Sequence, residues 1–283
     1  MLALGDLKLT MLNGGNFRLD GGAMHGVVPK TIWSKMVSCD ELNRVEYTTQ
    51  CLLVETAGQR VLIETGNGDK FSPKLKDIYG IDHDRAIDDA LREVGLEPDA
   101  IDVVVMSHLH FDHSGGTTRR GPGGAVEPVF RRARHIVQAR EWEDATHPHE
   151  RNRASYLAEN IFPLRESDAL ELVEGETKVA PGVWVVPTPG HTAGHQSVLL
   201  GDPGGPRALF LGDVAPTAVH TRLPFVMAYD LEPARTVETK RALFNRAIED
   251  DWIVLWGHDL EHHGGRLGLD KDGKAIVREF VTI

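Results

Sequence analysis

Ser107-His108-Leu109-His110-Phe111-Asp112-His113-Ser114-Gly115-Gly116 places three histidines and an aspartate within six residues, 108–113. The stretch follows Ile101–Met106, an apolar run broken only by Asp102 and bounded by Asp99 and Ser107. Such a run reads as a strand buried on both faces. The polar cluster therefore sits at the carboxyl end of a buried strand, where open α/β sheets place their ligands. Residues i and i+2 of an extended segment point the same way, so His108 and His110 can grip one ion together. Asp112 and His113 come as the chain turns, and can face a second ion. Gly115 and Gly116 let the backbone make that turn closely. Imidazole and carboxylate are the donors that zinc-type ions take, which sets the cluster apart from a polar loop with scattered histidines.

Four such residues leave coordination incomplete, and the chain supplies more. Pro189-Gly190-His191-Thr192-Ala193-Gly194-His195 follows the strand-like Val183–Val186. Phe210-Leu211-Gly212-Asp213 closes the strand-like Ala208–Leu211, and Trp256-Gly257-His258-Asp259 closes Trp252–Trp256. Each puts a His or Asp just past an apolar strand, beside a glycine. Further strands are expected at Leu7–Leu12, Gln50–Glu55, Arg60–Glu64, His135–Ala139, Gln196–Leu200 and Ala275–Thr282. Thr56-Ala57-Gly58-Gln59 reads as the turn of a hairpin. Helical spacing is expected over His83–Val94, Arg140–Thr146, Arg153–Ile161 and Pro233–Glu249, the last with proline at its start. This order predicts a large α/β protein with two mixed sheets and helices outside.

Composition bounds the function. The chain has 283 residues, with 31 basic and 42 acidic side chains, for a formal charge of −11. That balance argues against RNA, DNA or an anionic membrane surface as a partner. No run of 18 apolar residues is present, so no transmembrane helix is expected. Cys39 and Cys51 are the only cysteines, too few for a disulfide framework, and a cytoplasmic location is the expectation. The two glycine- and proline-rich stretches, 121–124 and 201–206, are turns rather than linkers, so residues 1–283 read as a single domain.

The succession HxHxDH, GH, GD, GH resembles the metallo-β-lactamase-fold hydrolases, and the resemblance covers nearly the whole chain. Leu62-Ile63-Glu64-Thr65-Gly66 is similar to that family's early strand and loop, with Glu64 where Asp is usual. Residues 19–30 and 212–230 resemble the branch that holds quorum-quenching lactonases of the YtnP type and methyl-parathion-hydrolase-like enzymes. The resemblance implies an αββα sandwich with the metals at one edge between the sheets. It implies His108, His110 and His191 on a first metal, Asp112, His113 and His258 on a second, and Asp213 bridging both. Zinc is the implied metal, and manganese, iron or cobalt could take the same donors. A water between two cations ionises near neutral pH, and that hydroxide would attack a carbonyl or phosphoryl centre. The implied activity is hydrolysis of a lactone or ester, like the N-acyl homoserine lactonases. Organophosphate triesters and glyoxalase-II-like thioesters are the alternatives. The substrate is expected to be a small neutral molecule and the protein a homodimer.

Several residues carry weaker expectations. Many lactonases of this fold place a tyrosine three residues after the bridging aspartate, and here that position is Pro216. His220 and Tyr229, on the following segment, are the candidates to polarise the carbonyl or protonate the leaving oxygen, beside Asp112 and Asp213. His195 is expected to hydrogen-bond near the metals. Glu64 is expected to orient a ligand histidine or to be a plain strand-end carboxylate, and Asp259 to do likewise or to cap a turn. Met24, His25, Trp33, Phe225 and Met227 read either as pocket wall or as core. A flavodiiron-type redox core is disfavoured by His110, because that family carries Glu there, and a non-catalytic module would be expected to have lost ligands.

Overall fold

The computed structural model describes residues 1–81, 85–165 and 169–283. One seven-stranded sheet is built from β1 (Leu2–Leu4), β2 (Leu7–Asp20), β3 (Arg44–Thr56), β4 (Gln59–Ile63) and β5 (Val103–Val105). A small separate hairpin follows, β6 (Thr118–Arg120) with β7 (Val126–Pro128), before β8 (Arg134–Gln138) and β9 (Leu170–Val173) complete that sheet. The second seven-stranded sheet runs in chain order through β10 (Thr177–Ala180), β11 (Val183–Pro187), β12 (Gln196–Leu200), β13 (Ala208–Phe210), β14 (Ile253–Leu255), β15 (Gly264–Leu269) and β16 (Ala275–Val281). Both sheets are mixed. β4, β5, β8 and β9 pair in parallel, as do β13 and β14, and the other neighbours are antiparallel.

Alternation along the strands explains the layering. Leu52, Val54, Val61, Ile63, Val103 and Val105 of the first sheet share one core with Val198, Leu200, Phe210, Ile253 and Leu255 of the second. The residues between them, Cys51, Leu53, Leu62 and Val104, turn outward. Short helices fill the connections: α1 (Gly21–His25), α2 (Lys30–Trp33), α3 (Pro73–Ile78), α4 (Ile87–Glu93), α5 (Phe111–Ser114), α6 (Ala139–Thr146) and α7 (Ala158–Arg165). The longest, α8 (Pro233–Glu249), links β13 to β14. Ile87, Ala90 and Leu91 of α4 cover the outer face of the first sheet. Phe244 and Ala247 of α8 cover Leu199, Leu209 and Val254 on the outer face of the second. Parallel neighbours need such crossovers, which is why helices lie on both outer faces. The result is the expected αββα sandwich. Each fully buried aliphatic or aromatic side chain in it contributes roughly 1.5–3 kcal/mol.

The expected strand Gln196–Leu200 and helix Pro233–Glu249 have the bounds read from the sequence. Other bounds change, among them three. β2 runs past Leu12 to Asp20, because a register shift between Asn13 and Asn16 lets pairing with β3 continue. The helix expected over Arg153–Ile161 divides into a 3₁₀ turn at Arg153–Ser155 and α7. Of the helix expected from His83, Ile87–Glu93 is helical, and His83 lies outside the described residues.

Candidate metal centre

Four strand ends converge on one edge of the sandwich. His108 and His110 follow β5, His191 lies in the loop between β11 and β12, Asp213 follows β13 and His258 follows β14. Asp112 and His113 lie on α5, the single turn that begins after His110. All seven are buried, with His110, Asp112 and Asp213 keeping the most exposure, 5–6%. A Cβ on Gly115 would fall on the Asn67 carbonyl and one on Gly116 on the Thr65 carbonyl, so the chain can leave this turn only through glycine.

The ligand atoms gather as three groups, each able to hold an ion: His108, His110 and His191; Asp112, His113 and His258; and His108, His113 and Asp213. Asp213 joins the other two. Its Oδ2 lies 3.3 Å from His191 Nε2 and 4.0 Å from His108 Nε2. Its Oδ1 lies 3.2 Å from His258 Nε2 and 3.3 Å from His113 Nε2. One carboxylate thus faces one histidine group with each oxygen.

Hydrogen bonds on the far side of the rings set the tautomers. His191 Nδ1 donates to Asp230 Oδ1 at 2.9 Å, and His258 Nδ1 donates to the Thr48 carbonyl at 2.9 Å. Both Nε2 atoms are therefore lone pairs aimed inward. Each meets another imidazole nitrogen at 3.1 Å, His110 Nδ1 for His191 and His113 Nε2 for His258. His108 Nε2 and Asp213 Oδ1 are buried with no hydrogen-bond partner among the described residues. Converging lone pairs and orphaned acceptors are costly without a cation among them. The donor set of imidazole and carboxylate fits divalent ions of the zinc type.

The electrostatics agree. Burial opposes charge on His113, yet the Asp213, Asp112 and Glu64 carboxylates together raise it well above the ordinary imidazole value. Burial and the neighbouring imidazoles His113, His110 and His191 hold His108 well below it. Burial also opposes charge on Asp213, but His113, His258 and His191 keep its carboxyl well below the usual range. The three carboxylates around His113 favour positive charge on that side of the cluster, while burial and the crowded imidazoles disfavour it on His108 and His110.

The residues around the cluster sort out as follows. His195 accepts the Asp213 amide on Nε2 at 3.0 Å, and its Nδ1 bonds Thr188 Oγ1 at 2.8 Å, so it positions Asp213 as expected. Glu64 has φ +66°, accepts the Ser107 amide at 3.1 Å, and lies 3.5 Å from His113 Nδ1. Asp259 caps turns, accepting the Ala218, Glu261 and His262 amides. Met24, Trp33, Phe225 and Met227 are buried in one apolar cluster and form core, whereas the buried His25 also lines a cavity.

His220 requires correction as a free donor to substrate. Its Nδ1 accepts from Thr217 Oγ1 at 2.7 Å, and its Nε2 donates to the Met24 carbonyl at 2.9 Å. The ring stacks on His25, and burial holds its pKa at about 3. No nitrogen is left over. Tyr229 differs: it is 36% exposed. Its phenol is raised first by burial, then by the Asp20, Tyr79 and Asp112 side chains. A cavity of about 960 Å³ borders the centre from the His258 side, between Tyr47, Thr217 and Arg222.

Sequence reasoning missed two carboxylates. Asp230 fixes His191 and also accepts the Met227 amide at 3.2 Å. Glu141, fully buried on α6, accepts the Leu109 amide and the Tyr156 and Thr192 hydroxyls. An Asp closing the 223–230 stretch and a lone Glu in a helix carry no local signal of these contacts.

A two-sheet sandwich with two histidine groups sharing a carboxylate at one edge defines a class of metal-binding α/β protein. The profile of the metallo-beta-lactamase superfamily matches residues 44–258, and the chain belongs to that superfamily. It is 32% identical over 233 residues to an N-acyl homoserine lactonase of Bacillus sp., covering 76% of this chain and 82% of that one. It is 30% identical to N-acyl homoserine lactonase AiiA of Bacillus thuringiensis subsp. kurstaki, covering 75% and 81%. Among solved structures, a probable metal-dependent hydrolase from Staphylococcus aureus superposes with TM-score 0.87 at 32% identity, over 99% of this chain and 100% of that one. An N-acyl homoserine lactone hydrolase with N-hexanoyl-L-homoserine bound at its catalytic metal centre superposes with TM-score 0.68 at 25% identity, over 99% and 100%.

Proposed function

We propose that this chain is a dinuclear metal-dependent hydrolase that opens a lactone or related ester, of the N-acyl homoserine lactone kind that its relatives' names give. The observation that carries the proposal is Asp213, whose two oxygens face two separate histidine groups. His108, His110 and His191 would hold one ion, Asp112, His113 and His258 the other, and Asp213 both. Zinc is the proposed metal, from the borderline-soft donor set. When bound, two such cations supply a water ionised near neutral pH and polarisation of the substrate oxygen.

The chain's own residues do the rest. Asp230 and the Thr48 carbonyl keep protons on the outer nitrogens of His191 and His258, so the inner ones stay free to ligate. His195 holds the Asp213 backbone. Tyr229, on the exposed rim, is the proposed donor to the substrate oxygen, in place of the tyrosine that Pro216 displaces. Residues 1–283 are proposed to act as one domain, as a homodimer, in a reducing cytoplasm that suits the free Cys39 and Cys51.

Purified protein should hold about two transition-metal ions per chain by elemental analysis, and Asp213→Ala should lose both metal and activity. A panel of lactones, thioesters and phosphotriesters should show highest kcat/KM for a lactone. Fewer than two ions in active wild-type enzyme, or preference for another class, would overturn this reading.

A further inference from the structure

We propose that Glu141 is the positioning residue for the three-histidine half of the centre, clamping the His108–His110 loop to the His191 loop; this rests on the dinuclear reading above. Glu141 has no exposed surface. Its Oε1 accepts the Leu109 amide at 2.9 Å and the Tyr156 hydroxyl at 3.0 Å. Its Oε2 accepts the Thr192 hydroxyl at 2.5 Å. Leu109 lies between His108 and His110, and Thr192 follows His191. The Tyr156 ring stands edge-on to His110, with centroids 4.8 Å apart. All three histidines of this group are therefore beside something that one carboxylate holds.

The packing around Glu141 leaves it no freedom. A Cβ on Gly194 would fall on the Glu141 backbone nitrogen, so the loop carrying His191 docks directly onto the start of α6. The other half of the centre is held differently. His258 is fixed by the Thr48 carbonyl, and Glu64 lies against His113. Removing the Glu141 carboxylate strands a buried amide and two hydroxyls without an acceptor. The two loops then lose their common anchor, and the inward nitrogens of His108, His110 and His191 lose their fixed spacing. Glu141 bonds none of the three imidazoles itself and acts through the residues beside them; groups that orient metal ligands typically change metal affinity 10–100-fold.

The test is a Zn²⁺ titration of chelator-stripped protein against a chromophoric competitor. Wild type should take two ions. Glu141→Ala should keep one ion near wild-type affinity and bind the second roughly 10–100-fold more weakly. Glu141→Gln should bind both within a few-fold of wild type, because its oxygen can keep Leu109 and Tyr156 while its amide donates to Thr192. Thr192→Val, a milder change at the fold, should weaken the same ion by about tenfold. Two ions of unchanged affinity in Glu141→Ala, equal weakening of both, or a Gln variant as weak as Ala would overturn the proposal. Should Glu141→Ala not fold, wild-type affinity in Thr192→Val overturns it alone. Fewer than two ions in wild type would sink the dinuclear reading and this proposal with it, whereas unchanged variants of a two-ion protein sink this proposal only.

Discussion

His220 and Tyr229 follow Asp213 on one segment, yet their surroundings give them different work. Tyr229 is 36% exposed, while both nitrogens of His220 are taken by Thr217 and Met24. A donor aimed at developing oxyanion charge is worth about 3 kcal/mol, on the order of 10² in rate. Tyr229→Phe should lower kcat at least about tenfold with two ions still bound. His220→Ala should instead destabilise the fold, by roughly 2–4 kcal/mol, since it opens a buried gap and strands two polar groups. Steady-state kinetics and urea unfolding on both variants separate the roles. Equal loss of kcat from both at matched folded fraction would contradict this assignment. The His/Asp cluster was legible residue by residue, because its spacing is local: HxHxDH spans six positions, and each later member follows an apolar strand. Asp230 and Glu141 were not legible, because they meet their partners across 39 and 51 residues of chain. Their roles exist only once the loops are folded together.

At the scale of elements, α8 shows what periodicity conveys and what it hides. Its bounds follow from Pro233 and the apolar stripe that reaches Phe244 and Ala247. The same inner face also buries Lys240, with no exposed surface. Its Nζ donates to the Phe225 carbonyl at 2.8 Å and the Arg222 carbonyl at 3.0 Å, tying α8 to the segment before Tyr229. Burial pushes Lys240 down to about 7 from 10.5. Below pH 7 the lysine is protonated folded and unfolded, so its contribution is constant. From pH 7 to about 10 the unfolded chain keeps a proton that the native state has lost. Native stability from this group should therefore rise with pH, by at most about 1.4 kcal/mol per unit. The stability of wild type minus that of Lys240→Met, from urea unfolding at pH 7, 8, 9 and 10 with metal saturating, should climb across that range. A flat difference would refute the depressed lysine. β15 escaped the sequence reading for a related reason. Gly264-Gly265 has no strand-like side chains, and a Cβ on Gly264 would fall on the Val254 carbonyl of β14. Close approach to a neighbouring strand, a property of the sheet, selects glycine there.

Over the whole molecule, the two sheets bring the ends that carry the His/Asp cluster to one edge, and the chain as a whole is acidic. The formal charge is −11, and Asp112 and Asp213 stand within the centre itself. Two divalent cations would add four positive charges and leave the net charge negative. The long-range field then repels anions and leaves neutral molecules unaffected. Screening sets the test. At 0.15 M salt the Debye length is about 8 Å, and at 0.01 M about 30 Å, so repulsion of a charged substrate should fade as salt rises. A neutral lactone or triester should show kcat/KM nearly independent of ionic strength. An anionic phosphodiester should react more slowly at every salt concentration, and its kcat/KM should rise as salt is added. The decisive measurement is kcat/KM for one neutral and one anionic substrate between 0.01 and 0.3 M salt, with metal saturating. If the anion were the better substrate, or if its rate fell with salt, local attraction by the metal centre would outweigh the field of the protein. The substrate class would then be phosphodiesters, and the lactone reading would fall with the electrostatic argument.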